Sequence, residues 1–144
     1  MNDMVSTVRR SSRKDFPRLI ECDPYAQAHT HRQCFIRAAV ERGQCLVGLA
    51  GTVVHGFVIV EHNFFERGFV PLVAVAPEHR RHGAGLRLLA AAERECKTAK
   101  LFTSTNASNM AAQALLCKAG FRRCGFIEQL DEQDDELIYF KVVR

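Results

Sequence analysis

Apolar and polar residues follow one another along this chain in patterns that predict a mixture of helices and strands. Apolar residues three and four positions apart indicate helices, whereas alternating or short continuous apolar runs bounded by turn residues indicate strands. The predicted helices are 15–21, 30–41, 83–97 and 108–118. The predicted strands are 4–10, 44–49, 52–61, 69–75, 101–103, 121–130 and 136–143. This order predicts one α+β (mixed α/β) domain over residues 1–144, without repeats or a linker.

Capping and breaking residues set the expected boundaries of these elements. Ser108 is the expected N-cap of the last helix, and Gly120 follows the end of that helix. Asp23 and Pro24 are expected to break the first helix. Pro71 lies inside a predicted strand, where it indicates a bulge or an unpaired position, because proline has no N–H to donate.

The composition is that of an ordinary globular protein, and it indicates the cellular compartment in which the protein is expected. The chain is 47% hydrophobic and 25% charged, and no apolar run approaches the ~18 residues of a membrane span. The six cysteines include no Cys-x-x-Cys pair, so reduced and largely buried thiols are expected rather than a zinc or redox motif. Because no apolar signal segment is present at the start, we expect a cytoplasmic protein without a membrane partner.

The charge is mildly basic, with 20 Lys and Arg residues against 16 Asp and Glu residues and a formal net charge of +4. This charge suits an anionic ligand, but it does not predict nucleic-acid binding, which requires a concentrated basic stripe. The histidines form no cluster with metal-ligand spacing, so no metal site is predicted. The carboxylates between Glu128 and Glu136 have two interpretations: a surface that attracts a polycationic amine, or a solvated hairpin turn.

The segment between strand 69–75 and helix 83–97 has features of an anion-binding loop. Residues 80–85 read Arg-Arg-His-Gly-Ala-Gly, so two arginines precede small residues that open the helix. The first amides of a helix have no intrahelical acceptor, and glycine lets a phosphate approach the backbone. The loop lacks the ending of a Walker loop and the glycine pattern of a dinucleotide fingerprint. By itself it permits two interpretations, a phosphate site or an ordinary strand-to-helix connection.

Together with a second segment, this loop resembles the signature of the GCN5-related N-acetyltransferase (GNAT) superfamily. Residues 80–85 match the Arg/Gln-x-x-Gly-x-Gly/Ala pattern of that family. The second segment starts at Asn106-Ala107-Ser108-Asn109 and ends in Gly120-Phe121, like the family's asparagine-led helix. The resemblance covers nearly the whole chain. It implies the acyl-CoA N-acyltransferase fold, with a central, mostly antiparallel sheet of about six to seven strands flanked by about four helices.

The resemblance also implies acetyl-CoA as the cosubstrate and a set of residues that bind it. The pantetheine arm would pair with main chain around Val73 to Val75, the pyrophosphate would lie on the loop, and Asn109 would bond the pantetheine side. The cofactor-binding residues expected in this way are Val73, Val75, Arg80, Arg81, His82, Gly83, Ala84, Gly85, Leu86 and Asn109. The resemblance leaves both a monomer and a homodimer open.

The implied reaction is direct attack on the acetyl thioester by a primary amine of a small molecule or a peptide. A lysine-like amine has a pKa about 3.4 units above pH 7, so keeping it neutral at pH 7 costs about 4.6 kcal/mol. A general base that removes its proton is therefore expected. The family's usual carboxylate is missing from strand 69–75, and Glu61 and His62 are the nearest replacements. Leu116 stands at the family's usual tyrosine position, which leaves the general acid open, with Tyr139 as a weaker candidate.

Two functional hypotheses therefore remain. The first is an N-acetyltransferase. The second is a non-catalytic acyl-CoA-binding sensor or partner module of the same fold. Turnover with an amine separates the two, because the second would bind acyl-CoA and transfer nothing.

Overall fold

A computed structural model describes residues 6–144 of the chain. Its strands are β1 (Ser6–Arg10), β2 (Cys45–Ala50), β3 (Val53–Phe64), β4 (Arg67–Val75), β5 (Lys100–Asn106), β6 (Arg122–Asp131) and β7 (Asp134–Val142). Its α-helices are α1 (Phe16–Cys22), α2 (Pro24–Ala28), α3 (Thr30–Glu41), α4 (Ala84–Glu95) and α5 (Met110–Lys118). Short 3-10 turns lie at Arg13–Asp15 and Pro77–His79. The start of the first predicted strand, at residues 4 and 5, lies outside the described residues.

The seven strands form a sheet in the order β1-β2-β3-β4-β5-β7-β6. Antiparallel pairs join β1 to β2, β2 to β3, β5 to β7 and β6 to β7, whereas β4 and β5 run parallel. The parallel pairing extends from Gly68 to Val70 on β4, and β4 itself continues to Val75. The predicted α+β fold with a mostly antiparallel sheet is therefore confirmed, and the described residues hold one α-helix more than the sequence pattern predicted.

Residue contacts divide the chain into two compact units, and β3 and β4 pass through both of them. The first unit comprises the described residues up to Ile59 together with Leu72–Ala92. Its core packs side chains of α1 and α3 against β2 and β3, with Leu19, Ile36 and Phe57 fully buried. Burial of each such side chain contributes about 1.5–3 kcal/mol, so this core holds the strand that leads into the loop at residues 76–83.

The second unit comprises Val60–Pro71 and Glu93–Arg144. An aromatic row runs across its strands: the Phe64 ring stacks on Phe69 at 4.7 Å between centroids, and Phe102 lies 5.3 Å from Phe64 and 6.2 Å from Phe140. The buried hydroxyl of Thr103 donates to the Val70 carbonyl at 2.8 Å. These contacts bind the β3–β4 hairpin to β5 and β7.

Asp23 and Pro24 end α1 as predicted, but they also begin α2, which the sequence pattern did not predict. The Asp23 carboxylate accepts a hydrogen bond from Tyr25 N at 3.2 Å, and Pro24 occupies the first helical position, where its missing N–H costs nothing. The predicted N-cap of α5 is wrong. Asn109, not Ser108, caps this helix, because Asn109 Oδ1 accepts from Ala112 N at 3.0 Å.

Candidate functional site

The loop between β4 and α4 is held at its start by the sheet. Ala76 is buried directly after β4, and its N–H donates to the His55 carbonyl on β3 at 2.8 Å. The 3-10 turn at Pro77–His79 then carries the chain outward to Arg80 and Arg81, both exposed. The loop therefore begins on a buried anchor and ends as the open N-terminal turn of α4.

The backbone amides at the start of α4 have the arrangement of an anion-binding site. Arg80 N–H donates to the Pro77 carbonyl at 3.4 Å, and Arg87 N–H donates to the Gly83 carbonyl at 3.1 Å. Between these two, the amides of residues 81–86 find no backbone acceptor in the described part of the chain. Arg81 and Gly83 have φ angles of 67° and 78°, which bend the chain into a concave turn there. Unpaired amides at a helix start bind anions.

Arginine side chains brace the same loop from both sides. Arg80 Nε donates to the Val75 carbonyl at 3.2 Å, and Arg87 Nη1 donates to the His82 carbonyl at 3.0 Å. The Nε of Arg87 is buried and has no hydrogen-bond partner among the described residues. The sequence pattern did not predict this brace. The sequence signal for it is the position of Arg87 in the first turn of α4.

The nearby carboxylate does not neutralise this positive charge. Glu78 Oε1 accepts from Arg18 Nη2 at 2.9 Å, and that hydrogen bond holds the pKa of Glu78 below its usual value. Arg18 is in turn held by the Val54 carbonyl, to which its Nε donates at 2.8 Å. The loop therefore presents donors and positive charge, a combination that fits a phosphate group.

A buried histidine lies on the strand that anchors the loop. The His55 side chain is only 2% exposed, and its Nδ1 has no partner among the described residues. Burial, followed by the nearby Arg87 and His79, lowers the pKa of His55 below its ordinary value. His55 is therefore a neutral imidazole beneath the loop at neutral pH.

In the second unit, Asn109 belongs to a turn that the β6–β7 hairpin holds in place. Asp134 accepts from Ser108 at two points, the backbone N–H at 3.0 Å and the hydroxyl at 2.6 Å. Asp131 accepts from Asn106 Nδ2 at 2.9 Å. Asp131 and Asp134, two of the carboxylates between Glu128 and Glu136, therefore hold this turn in place. The sequence pattern did not predict that role. Asn109 itself is exposed and uses Oδ1 to cap α5.

The two candidate bases lie near the end of β3, in the second unit. Glu61 and His62 are both half-buried. His62 Nε2 accepts the Lys97 N–H at 2.9 Å, so the lone pair of that nitrogen is already engaged by the main chain. Burial, then the nearby Lys97, lowers the pKa of His62, and Glu95 opposes the shift. A neutral His62 whose Nε2 accepts this hydrogen bond carries its own proton on Nδ1.

The candidate acid positions differ in their exposure. Leu116, which stands at the family's tyrosine position, is buried on α5, and the following Cys117 is exposed. Tyr139 is buried on β7, and burial, followed by the nearby Cys117, raises its pKa above the ordinary value. Tyr139 therefore keeps its proton at neutral pH.

Within residues 6–144, no three His, Cys, Asp or Glu side chains come together as a group that could hold a metal ion. None of the helices described there has the length and apolar character required to cross a lipid bilayer.

Known proteins resemble this chain in both sequence and fold. The sequence model of the acetyltransferase (GNAT) family matches residues 4–121. A crystal structure of a GNAT-family acetyltransferase from Bacillus cereus ATCC 10987 shares 30% identity and a TM-score of 0.89, covering 96% of this chain and 97% of that one. No curated protein shows significant sequence similarity to the chain.

Two further structures share the fold at lower sequence identity. One, from Salmonella typhimurium with its cofactor acetyl-CoA, has 20% identity and a TM-score of 0.75, covering 96% of this chain and 94% of that one. The other, a ribosomal-protein-alanine N-acetyltransferase from Brucella melitensis, has 23% identity and a TM-score of 0.77, covering 94% and 99%.

The family match spans most of the chain, and the Bacillus cereus structure aligns with nearly all of it. The loop at residues 80–85 carries the family's motif at the start of α4. The chain therefore belongs to the GNAT family of acetyltransferases.

Proposed function

We propose that this protein transfers the acetyl group of acetyl-CoA to a primary amine of a small molecule or a peptide. The observation that carries the proposal is the set of unpaired amides at residues 81–86, flanked by the exposed Arg80 and Arg81. These amides and guanidinium groups would bind the pyrophosphate of the cosubstrate. Arg87 would keep the loop in shape through its hydrogen bond to His82.

The loop suits a diphosphate on energetic grounds. A hydrogen bond to a charged group contributes about 1.5–3 kcal/mol, whereas the helix dipole adds only about 0.3–1 kcal/mol. Several converging amides therefore outweigh the dipole. The proposed contacts from this part of the chain come from Arg80, Arg81, His82, Gly83, Ala84, Gly85 and Leu86.

The main chain of β4 would bind the rest of the cosubstrate. β4 pairs with β5 as far as Val70 and then runs on to Val75. The backbone groups of Val73 and Val75 would hydrogen-bond the pantetheine arm, and an amide of this stretch would donate to the thioester oxygen as negative charge develops. Asn109, which is exposed, would contribute the Nδ2 of its side-chain amide, the role that the family motif implies.

The chemistry requires a neutral amine and an oriented attack. Glu61, with His62 as the alternative, would accept a proton from the ammonium form of the acceptor, directly or through water. The thiol of coenzyme A has a pKa close to the ~8.5 of cysteine, so it can leave as a thiolate without a strong acid. Tyr139, which is buried and protonated, is the alternative proton donor to this thiolate.

A binding experiment tests the loop. We would measure the affinity for acetyl-CoA by calorimetry for the wild type, for Arg81→Glu and for Arg94→Glu. Arg81→Glu should weaken binding about 10- to 100-fold, through loss of one charge-assisted contact. Arg94→Glu makes the same charge change at the far end of α4, where Arg94 is also exposed, and should leave the affinity unchanged. Equal affinities for all three proteins would contradict the placement of the pyrophosphate.

A turnover experiment tests the transfer. Release of free thiol from acetyl-CoA would be followed with polyamines, aminoglycosides, amino acids and peptides as acceptors. Acetylation of at least one amine supports the proposal, whereas tight acetyl-CoA binding without transfer to any acceptor would favour the sensor hypothesis. With a working acceptor, Glu61→Gln should lower kcat and shift the pH profile more than His62→Gln does. An unchanged rate and pH profile for Glu61→Gln would eliminate Glu61 as the base.

A further inference from the structure

His55 is the extra residue of a β-bulge between β2 and β3. Gly48 of β2 pairs with Gly56 of β3. The next residue of β2, Leu49, pairs with Val54, so His55 is skipped. Bulges redirect side chains and are frequent next to functional sites. Here the bulge places a buried imidazole against the backbone of Gly48, in the unit that also carries the loop at residues 81–86.

The guanidinium group of Arg87 connects this imidazole to the loop. Its Nη1 donates to the His82 carbonyl at 3.0 Å and lies 3.0 Å from the point that a Cβ atom would occupy at Gly83. The guanidinium therefore packs directly against the turn that contains the unpaired amides. Arg87 is also the charged group with the largest electrostatic effect on His55. A charge that binds on the loop therefore acts on His55 through Arg87.

The surroundings of the His55 ring are uncharged or positive. Burial is the main cause of its lowered pKa, followed by Arg87 on α4 and then by His79, whose ring lies 5.9 Å from that of His55. Arg18 on α1 adds a smaller effect in the same direction. The carboxylate on the same 3-10 turn, Glu78, is held by Arg18 at 2.9 Å, and β2 presents a glycine. Among the described residues, no carboxylate contributes to the shift of the His55 pKa.

We propose that His55 couples the binding of the cosubstrate to pH, because a proton on its ring and a pyrophosphate on the loop stabilise each other. The inference rests on the proposed position of the pyrophosphate. A bound pyrophosphate offsets the positive charge of Arg87, so the imidazolium form of His55 becomes less costly. Because such coupling is reciprocal, the protein with a protonated His55 binds acetyl-CoA more tightly. The affinity therefore rises as the pH falls through the pKa of His55.

Nuclear magnetic resonance of the His55 ring tests the coupling directly. The ring signal, assigned through its bonds to the backbone, would be followed between about pH 8 and about pH 5, in the free protein and with saturating acetyl-CoA. We expect the titration to move to higher pH in the complex, and calorimetry on the same samples shows whether acetyl-CoA is bound. Bound acetyl-CoA with an unshifted titration, or with a ring that stays neutral in both states, would overturn the coupling and leave the proposed function standing. Failure to bind acetyl-CoA at any pH would contradict the proposed function, and the coupling with it.

Affinity measurements separate His55 from other titrating groups. The 3′-phosphate of coenzyme A itself gains a proton near a pKa of about 6, so dephospho-coenzyme A, which keeps the pyrophosphate and lacks this phosphate, is the probe. Relative to His55→Gln, the wild type should gain about 2- to 10-fold in affinity between about pH 7.5 and about pH 5.5. An equal pH dependence of the two folded proteins would overturn the proposal.

A charge variant tests the route through Arg87. Arg87→Gln should raise the pKa of His55 in the free protein, and acetyl-CoA should then raise it less than in the wild type. Arg94→Gln makes the same change at the exposed far end of α4 and should leave the titration of His55 unchanged. Thermal unfolding shows whether each variant is folded. A His55 titration that is the same in the wild type and in folded Arg87→Gln would contradict the coupling.

Discussion

The imidazole of His55 occupies space that Gly48 leaves open on the neighbouring strand. A Cβ atom at position 48 would lie 2.5 Å from Cε1 of His55, and 3.1 Å and 3.2 Å from the two ring nitrogens. Real Cβ atoms do not approach other atoms so closely, so any larger residue at 48 must displace the ring. Because the His55 carbonyl anchors Ala76 at the start of the loop, the fit at Gly48 also bears on the candidate site.

Substitution of Gly48 should therefore destabilise the protein. Gly48→Ala is expected to lower the free energy of unfolding by about 1–3 kcal/mol through overpacking. Gly125→Ala is the matched control, since a Cβ there meets nothing within 4 Å, and it should be neutral or add up to about 1 kcal/mol. Urea unfolding in dilute solution measures both. Equal stabilities of the two variants would show that the ring is not confined.

The buried His55 should also make stability depend on pH. Its pKa is lowered in the folded chain, chiefly by burial, so near pH 6 the unfolded chain binds more protons than the folded one. Stability is then complete above the ordinary histidine value of 6.5 and is lost as the pH falls through the lower folded-state pKa.

Replacing the histidine should flatten this dependence. His55→Gln should reduce the loss of unfolding free energy between about pH 7.5 and about pH 5.5 relative to the wild type. Part of the dependence should persist, because the pKa of His62 is lowered as well. The measurement is urea unfolding at both pH values. A variant as pH-dependent as the wild type would mean that folding does not lower the pKa of His55.

At the scale of elements, the β6–β7 hairpin supports the turn between β5 and α5. Asp134 binds the amide and the hydroxyl of Ser108, and Asp131 binds Asn106. The main chain adds a third link, from Ala107 N–H to the Asp135 carbonyl at 2.8 Å. The turn that carries Asn109 is therefore positioned by residues some 26 positions away along the chain.

Removing one of these carboxylates should loosen the turn. Asp134→Ala is expected to lower the free energy of unfolding by about 1–2 kcal/mol, at the lower end for charged hydrogen bonds because the site is exposed. Asp135→Ala removes a neighbouring carboxylate but keeps the main-chain bond, and it should have a smaller effect. Hydrogen exchange of the residues 106–109 should accelerate in Asp134→Ala alone. Identical exchange in both variants would argue against the anchor.

At the scale of the whole molecule, the six cysteines fall into two classes. Cys22, Cys45 and Cys96 are buried, whereas Cys34, Cys117 and Cys124 are exposed. Burial raises the pKa of Cys22 and of Cys45 to about 11, so neither thiol forms the reactive thiolate at neutral pH.

Alkylation of the native protein should therefore stop at the exposed class. Mass spectrometry after treatment with iodoacetamide should find Cys34, Cys117 and Cys124 modified and the other three intact, with all six modified after denaturation. Rapid native labelling of Cys22 or Cys45 would show that the first unit opens readily.

Local chemistry predicted the elements whose signals lie within a few neighbouring residues. The helix α3 was predicted with its observed bounds, Thr30–Glu41, because its periodic apolar face and the following Gly43 are local features. The strand β5 was predicted three residues short of Asn106. Its last residues lack an apolar pattern and are extended because they pair with β7, for example Thr105 with Leu137.

The N-cap of α5, either Ser108 or Asn109, is a second feature that local chemistry alone did not decide. Either side chain can accept a hydrogen bond at a helix start, so the sequence permits both. Asp134 engages the Ser108 hydroxyl, and Asn109 then caps the helix. A contact between distant residues decided between two locally equivalent options.

The sequence alone determined the order of the seven strands and of four of the five helices, the loop motif at residues 80–85 and the family, because each of these depends on residues that are near one another in the chain. Only the tertiary structure revealed the brace from Arg87 to His82, the space at Gly48 for His55, the carboxylate anchor of the Asn109 turn and the exposed edge of β6. These features depend on burial, sheet order or the direction of a side chain. Such properties arise only when the chain folds and brings distant residues into contact.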